Sequence, residues 1–139
     1  MEILKKFQGE WKGDWRRPEV LLVLMALAMP LAFSTWMALI NNFSVERADF
    51  TGAEIGTLQS LREIPGFLAF GVVFLLPIFR EQTLALISLM LLGIGTAITG
   101  MFPTVIGLYL TTVLMSIGFH YYETVRQSVV LQWIDKEEA

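Results

Sequence analysis

QTLALISLMLLGIGTAITGMFPTVIGLYLTTVLMSIGFHYY, residues 82–122, contains no Asp, Glu, Lys or Arg in 41 consecutive positions. A membrane helix needs roughly 20 apolar residues, so this stretch is long enough to cross a bilayer twice. Gly100-Met101-Phe102-Pro103-Thr104 interrupts it, and a proline disfavours helix at the residue before it. The stretch therefore predicts two membrane helices, at about residues 83–101 and 104–134.

The composition of the whole chain indicates the same class of protein. Of its 139 residues, 55% are hydrophobic and 17% are charged, whereas soluble domains have about 45–50% apolar and about 25% charged residues. The net charge is −3 without a long basic run, so we expect no nucleic-acid partner. The sequence has no cysteine, which excludes disulfides, thiolate metal sites and cysteine nucleophiles. We therefore predict an all-α membrane protein in the lipid bilayer.

Two further spans precede this stretch. Val20–Ile40 is a run of 21 uncharged residues, longer than the apolar region of about 7–15 residues in a signal peptide. It predicts a first span at about residues 20–41. The next uncharged run, Ile64–Phe79, has only 16 residues. We therefore expect the second span to begin earlier and to cover about residues 55–79, which gives a transmembrane region of four helices at 20–134.

The remaining segments are polar. Residues 1–19 are predicted as a cytoplasmic leader, Phe43–Ala53 as an outer loop and residues 135–139 as a cytoplasmic tail. Thr51 followed three residues later by Glu54 is typical of a capping box, in which both side chains bond the first turn of a helix. This pair predicts a helix that begins just after Thr51.

The leader has two interpretations. Phe7, Trp11 and Trp15 recur every four residues, a spacing that allows a short helix to lie on the membrane surface. The same tryptophans also fit an irregular leader whose rings anchor at the headgroups. Both interpretations place the leader beside the membrane.

The basic residues predict the orientation. Loops on the cytoplasmic side carry an excess of Lys and Arg. With the N-terminus inside, the inner side has five basic residues in the leader, Arg80 and Lys136, against Arg47 on the outer side. This bias of seven to one predicts a multi-pass protein of the cell inner (plasma) membrane with both termini cytoplasmic.

Several features of this layout resemble the start of a major facilitator superfamily transporter. They are the basic leader, the proline in the first span, an outer loop ending in Glu54-Ile55-Gly56, and a long fourth helix that ends in Ile134-Asp135-Lys136-Glu137-Glu138. Two stretches, Ser60-Leu61-Arg62-Glu63-Ile64-Pro65-Gly66-Phe67 and Gly118-Phe119-His120-Tyr121-Tyr122-Glu123-Thr124-Val125-Arg126-Gln127, look like a little-characterised bacterial branch of that family.

The resemblance implies a fold and a function. Four helices would be part of a six-helix half, and the chain would be the N-terminal fragment of a secondary transporter that works with the remaining helices of the full-length protein. Such a transporter moves a small solute by alternating access, with protons as the expected coupling ion. The first and fourth helices would line its central cavity. The sequence identifies neither the solute nor the direction of transport.

The chain also departs from the family pattern. In the turn after the second span, Arg80 matches the signature's basic residue, but Phe79 replaces the Asp, Leu75 the first Gly and Gln82 the second Gly. In the fourth span, Leu114 stands where the family usually has an Arg. The roles in gating and proton coupling that belong to those positions are therefore not carried over.

The best candidate site lies on the fourth span. His120, Glu123 and Gln127 follow the i, i+3, i+7 spacing of one helix face, and Arg126 is within pairing reach of Glu123. Together with Tyr122, these residues are candidates for a substrate or proton pathway. Two other interpretations stay open: an ordinary ion pair at the inner interface, and contact with a partner helix.

Other candidates lie on the first two spans and in the inner turn. Ser34, Trp36 and Asn41 either line a cavity or cap and anchor the first helix. Arg62 and Glu63 are adjacent, so they should point about 100° apart and should not pair well with each other. We expect them near the outer boundary, either snorkelling to the headgroups or latching an outer gate with another helix. Arg80 is a further gate candidate.

We expect no enzymatic activity, cofactor or metal. The chain has a single histidine, no glycine-rich phosphate loop and no paired intramembrane carboxylates. Two other functions compete with the transporter fragment. One is a small structural or adaptor protein that works through helix packing. The other is a four-helix multidrug exporter, and the absence of a carboxylate from Val20–Ile40 counts strongly against it.

Overall fold

The computed structural model describes residues 18–133, including the side chains of residues 20–130. The predicted surface positions Phe7, Trp11 and Trp15 and the tail residue Lys136 lie outside these residues. The helices are α1 (Pro18–Ala48), α2 (Gly52–Phe67), α3 (Val72–Leu75), α4 (Glu81–Thr99) and α5 (Val105–Trp133).

Four segments of the described chain are long and apolar enough to cross a membrane. They are Val20–Ala48, Gly52–Leu75, Glu81–Thr99 and Val105–Val130. Many of their large apolar side chains are exposed, as expected for surfaces that face lipid. The prediction of an all-α, multi-pass membrane protein is therefore confirmed.

The first helix is longer than the sequence predicts. It continues to Ala48, so the prediction of a loop over Phe43–Ala53 is wrong for its first six residues. Ser44 and Phe50 are buried, which shows that the core extends beyond the uncharged run. The chain then reverses at Asp49, whose φ of 53° is a left-handed conformation that aspartate tolerates better than most residues.

The second span is broken. A 3-10 turn at Ala69–Gly71 separates α2 from α3. Helix α3 ends at Leu75, four residues before the predicted end of the second span at residue 79. Pro65 cannot donate to the helix ladder, and Gly66 and Gly71 favour irregular backbone around the turn. At the other end of α2, the predicted capping box is confirmed: Thr51 N donates to Glu54 Oε2 at 2.8 Å, and the Thr51 hydroxyl accepts from Glu54 N.

The tightest packing joins α4 to α5. At Gly95, an added Cβ would lie 2.7 Å from Met115 N, and at Gly118 it would overlap Leu92 N and Ser88 O. The two backbones therefore touch at two points. Helix α1 packs against this hairpin, and α2 packs mainly against α5.

Buried apolar side chains form two clusters, one in each half of the bundle. The end of the bundle that holds residues 76–80 is called the inner end, after the predicted orientation, and the opposite end is called the outer end. The inner cluster contains Met25, Val72, Leu84, Ala85, Tyr122, Val125 and Val129. The outer cluster contains Trp36, Ile40, Phe50, Leu58, Leu92, Leu108 and Met115. The candidate site lies where α1, α2 and α5 meet beside these clusters.

Candidate functional site

Helices α2 and α5 run side by side in the same direction. Tyr109 Oη donates to the carbonyl of Glu54 at 3.3 Å, and Ser116 Oγ donates to the carbonyl of Arg62. These contacts join residues 55 and 54 positions apart, so the register is constant along α2. It places Arg62 and Glu63 at the level of Ser116.

The contacts between α4 and α5 place this level within the bundle. Ser128 Oγ donates to Glu81 Oε2 at the inner end of α4. At about 1.5 Å per residue, Ser116 is about 17 Å from Val105 at the outer end of α5 and about 18 Å from Ser128. Arg62 and Glu63 therefore lie about halfway through the span.

This position corrects the expected location of Arg62 and Glu63 near the outer boundary. In one continuous helix over the second span, Arg62 would be about 27 Å from Arg80. In the structure, the 3-10 turn and the non-helical residues 76–80 interrupt the helical rise. Arg62 is level with Ser116, and the inner turn is level with Ser128. The axial distance from Arg62 to the inner turn is therefore the rise of the twelve residues from Ser116 to Ser128, about 18 Å.

The prediction that Arg62 and Glu63 do not pair is also wrong. Arg62 Nε and Nη2 both donate to Glu63 Oε1, at 3.0 and 2.5 Å, and Nη1 lies 2.8 Å from Met37 Sδ on α1. The arginine side chain is long enough to wrap around the helix to its neighbour. The Arg62 side chain is 20% exposed and that of Glu63 is 51% exposed, so the carboxylate faces outward from the bundle.

The candidates of α1 separate into two groups. Asn41 and Ser34 are on an exposed face, and Asn41 Oδ1 accepts from Gln59 Nε2 of α2 at 3.2 Å. Trp36 instead is 3% exposed in the outer cluster, and its Nε1 has no hydrogen-bond partner among the described residues. Asn41, Ser34 and Met37 follow helical spacing along α1, so they line one edge of the site.

Helix α5 packs against α2 and α1 beside the ion pair. His120 lies against Gly66, where an added Cβ would be 2.9 Å from the imidazole Cε1. One turn earlier, Ser116 bonds the backbone of Arg62. Phe119 stacks on Phe33 of α1, with ring centroids 4.1 Å apart. The first two contacts fix α2 against α5 beside the ion pair, and the ring stacking fixes α1 against α5.

The pair on the fourth span lies closer to the inner end. Arg126 Nη2 is 3.4 Å from Glu123 Oε2, so the predicted pairing is present. Glu123 lies five residues before Ser128, about 8 Å from the level of the inner turn. Its side chain is 33% exposed and that of Arg126 is 43% exposed. This placement fits an ion pair near the inner interface better than one in the middle of the span.

Three other predicted residues lie away from the Arg62–Glu63 ion pair. Tyr122 is buried in the inner cluster, Gln127 is exposed one turn beyond Glu123, and Arg80 is exposed in the turn before α4. The structure therefore brings Ser34, Asn41, Arg62, Glu63 and His120 towards one region. It leaves Arg80 at the inner end of the bundle.

A separate cavity of about 250 Å³ lies further along α5, between this helix and residues 69–76 of the second span. Its lining is mostly apolar, with Glu81, Thr124 and Ser128 as its polar groups, and it contains none of the predicted site residues. Among residues 18–133, no three His, Asp or Glu side chains are grouped closely enough to hold a metal ion.

Sequence reasoning missed Met37, Gln59, Gly66 and Ser116. Gln59 has a detectable signal, because it places an amide side chain one helical turn before Arg62 and Glu63 in a membrane span. Ser116 and Met37 had none, since a serine or methionine inside a membrane helix is ordinary. Their proximity to Arg62 arises only from the register between helices.

Comparison of the chain with protein-family models, with curated proteins and with solved structures found no match. The resemblance to the major facilitator superfamily therefore rests on the layout of the sequence and stays a prediction.

Proposed function

We propose that the chain contributes a four-helix unit to a secondary transporter, in which further helices complete a path for a small solute. The observation that carries this proposal is the Arg62–Glu63 ion pair halfway through the span, half-exposed at its carboxylate. Ionisable groups at such depth are costly and usually line a water-filled path or a binding site. A protein that only packs helices has no need for them there.

The neighbouring groups support the same function. Ser34 and Asn41 of α1 and Gln59 of α2 add uncharged polar groups along the exposed face beside the pair. His120 contributes a ring from α5. A solute moving by alternating access needs such a polar layer near the middle of the membrane. Coupling to protons and absence of enzymatic activity belong to this proposal.

The proposed location is the cell inner membrane, with the beginning and end of the chain on the cytoplasmic side. In this orientation Arg47, in the last turn of α1, faces the outside. The argument is the excess of basic residues in the segments assigned to the inner side. A cysteine that replaces Arg47 should react with a membrane-impermeant maleimide added to intact cells, and reaction only after the cells are opened would reverse the orientation.

Water access to the ion pair tests the transporter proposal. Met37 of α1 contacts Arg62. Ile94 of α4 lies at nearly the same depth, because its neighbour Gly95 is opposite Met115 of α5, but it is away from the ion pair. Their side chains are similarly exposed, at 39% and 48%. The chain lacks cysteine, so Met37→Cys and Ile94→Cys each provide a single thiol.

We expect Met37→Cys to react with a hydrophilic maleimide at least ten times faster than Ile94→Cys in membranes, because thiolate forms only where water reaches the sulfur. Equal protection of both positions would contradict a polar path. That result would favour the second candidate function, a structural or adaptor protein, for which the close α4–α5 packing at Gly95 and Gly118 is the supporting observation.

A further inference from the structure

We propose that Arg62 and Glu63 together bind a small zwitterionic solute, whose carboxylate contacts Arg62 Nη1 and whose ammonium contacts Glu63 Oε2. This inference rests on the proposed function, because it names the class of solute that the same site takes. The unfilled hydrogen-bonding capacity of the two side chains and their joint charge support it.

Arg62 has a donor that is poorly matched. Two of its nitrogens bond Glu63 Oε1, but Nη1 faces the thioether of Met37. A thioether is a weak acceptor, whereas a carboxylate oxygen forms a short, charge-assisted bond with a guanidinium. Met37 is flexible and 39% exposed, so it can move aside for a ligand. The methionine therefore occupies the position that a ligand's carboxylate would take.

Glu63 has a corresponding acceptor. Arg62 Nε and Nη2 both donate to Oε1, and Oε2 has no hydrogen-bond partner among the described residues. Because half of the side chain is exposed, Oε2 is within reach of a ligand. A carboxylate oxygen has lone pairs for additional donors, and an ammonium group offers three.

The charge balance selects the zwitterion. Arg62 and Glu63 neutralise each other, and a ligand with one net charge would add an unpaired charge halfway through the membrane span. Such a charge is expensive in a low-dielectric environment. A zwitterion adds one charge of each sign, so the complex stays neutral without a change in protonation. The uncharged amide pair Asn41–Gln59 adds no charge nearby.

Matched ligands test the class of solute. The full chain is placed in lipid nanodiscs, and binding of L-alanine, propionate and ethylamine is measured by NMR titration. Propionate lacks only the ammonium group of alanine, and ethylamine lacks only its carboxylate. We expect L-alanine to bind at least tenfold more tightly than either analogue, because only alanine satisfies both side chains. Propionate or ethylamine binding as tightly as L-alanine, or no detectable binding of L-alanine, would overturn the proposal.

Variants then test the residues. Arg62→Gln and Glu63→Gln should each weaken L-alanine binding at least tenfold. Glu46→Gln and Arg47→Gln are the matched controls, because these two residues form another adjacent acid–base pair, at the outer end of α1. The controls should bind L-alanine like the unchanged chain. Equal binding by the site variants and the controls would overturn the assignment.

Folding and water access are separated from binding. Arg62→Lys keeps the charge but loses the planar fork of donors, so it should fold while binding L-alanine at least fivefold more weakly. Full retention of affinity would argue against a guanidinium contact.

If Met37→Cys is labelled and L-alanine does not bind, only the class of solute is wrong. If Met37→Cys is fully protected, the transporter proposal itself fails.

Discussion

The two sides of the bundle are built differently. On one side, α4 and α5 approach so closely at Gly95 and Gly118 that no Cβ fits between their backbones. On the other side, α1 and α2 meet through long side chains, with Asn41 bonded to Gln59 and Met37 beside Arg62. The ion pair of Arg62 and Glu63 lies on this second side.

The difference separates a rigid part from an adjustable part. Backbone contact at glycine leaves little freedom, since any movement creates overlap or a gap. Contacts between the ends of flexible side chains can be exchanged for contacts with a ligand at small cost. Under the proposed transporter function, the α4–α5 hairpin would serve as the support and the α1–α2 side would carry the groups that contact the solute.

The largest effect should come from filling the close approach at Gly118. Gly118→Ala places a methyl group onto the backbone of Leu92 and Ser88, and overpacking of a rigid contact costs about 3 kcal/mol in unfolding free energy. Gly93→Ala is the matched control, because nothing lies within 4 Å of its added Cβ. It should be neutral or stabilise by about 0.5–1 kcal/mol through helix propensity. Unfolding titrations in detergent with increasing SDS measure both, and equal stability of the two variants would remove the contrast.

A smaller effect should distinguish the two ion pairs. In double-mutant cycles, Arg62→Gln with Glu63→Gln should show a coupling energy of about 1–2 kcal/mol, because a single change strands a charge halfway through the span. Glu123→Gln with Arg126→Gln should show about 0.5 kcal/mol or less, because that pair lies near the inner end of the bundle and its atoms are 3.4 Å apart. A larger coupling for the second pair would place it deeper than the register of α5 indicates.

The smallest effect should come from the α1–α2 contact. Asn41→Ala removes one exposed side-chain bond to Gln59, and we expect a loss of about 0.5 kcal/mol or less. If this change destabilised the chain as much as Gly118→Ala, the α1–α2 side would be as rigid as the hairpin. Measurement under the same SDS conditions makes the three results directly comparable.

The sequence was least informative about which charges lie deepest. The sequence ranks Glu123 and Arg126 as the better pair, because they are three residues apart and follow a long uncharged run. The sequence ranks Arg62 and Glu63 as peripheral, because a single continuous second helix would place them near its outer end and adjacent residues point in different directions. The break after Phe67 and the reach of the arginine side chain changed that ranking.

The sequence by itself determined the number of spans, their approximate positions and the capping box at Thr51. These features follow from apolar length and from contacts between residues three positions apart, so they need no knowledge of the rest of the chain. Only the tertiary structure decided the depth of Arg62 and Glu63, the burial of Trp36 and the roles of Ser116 and Met37. Each of those depends on the register between helices that are far apart in sequence, and hydrophobic periodicity specifies which face is buried but not which residue lies opposite.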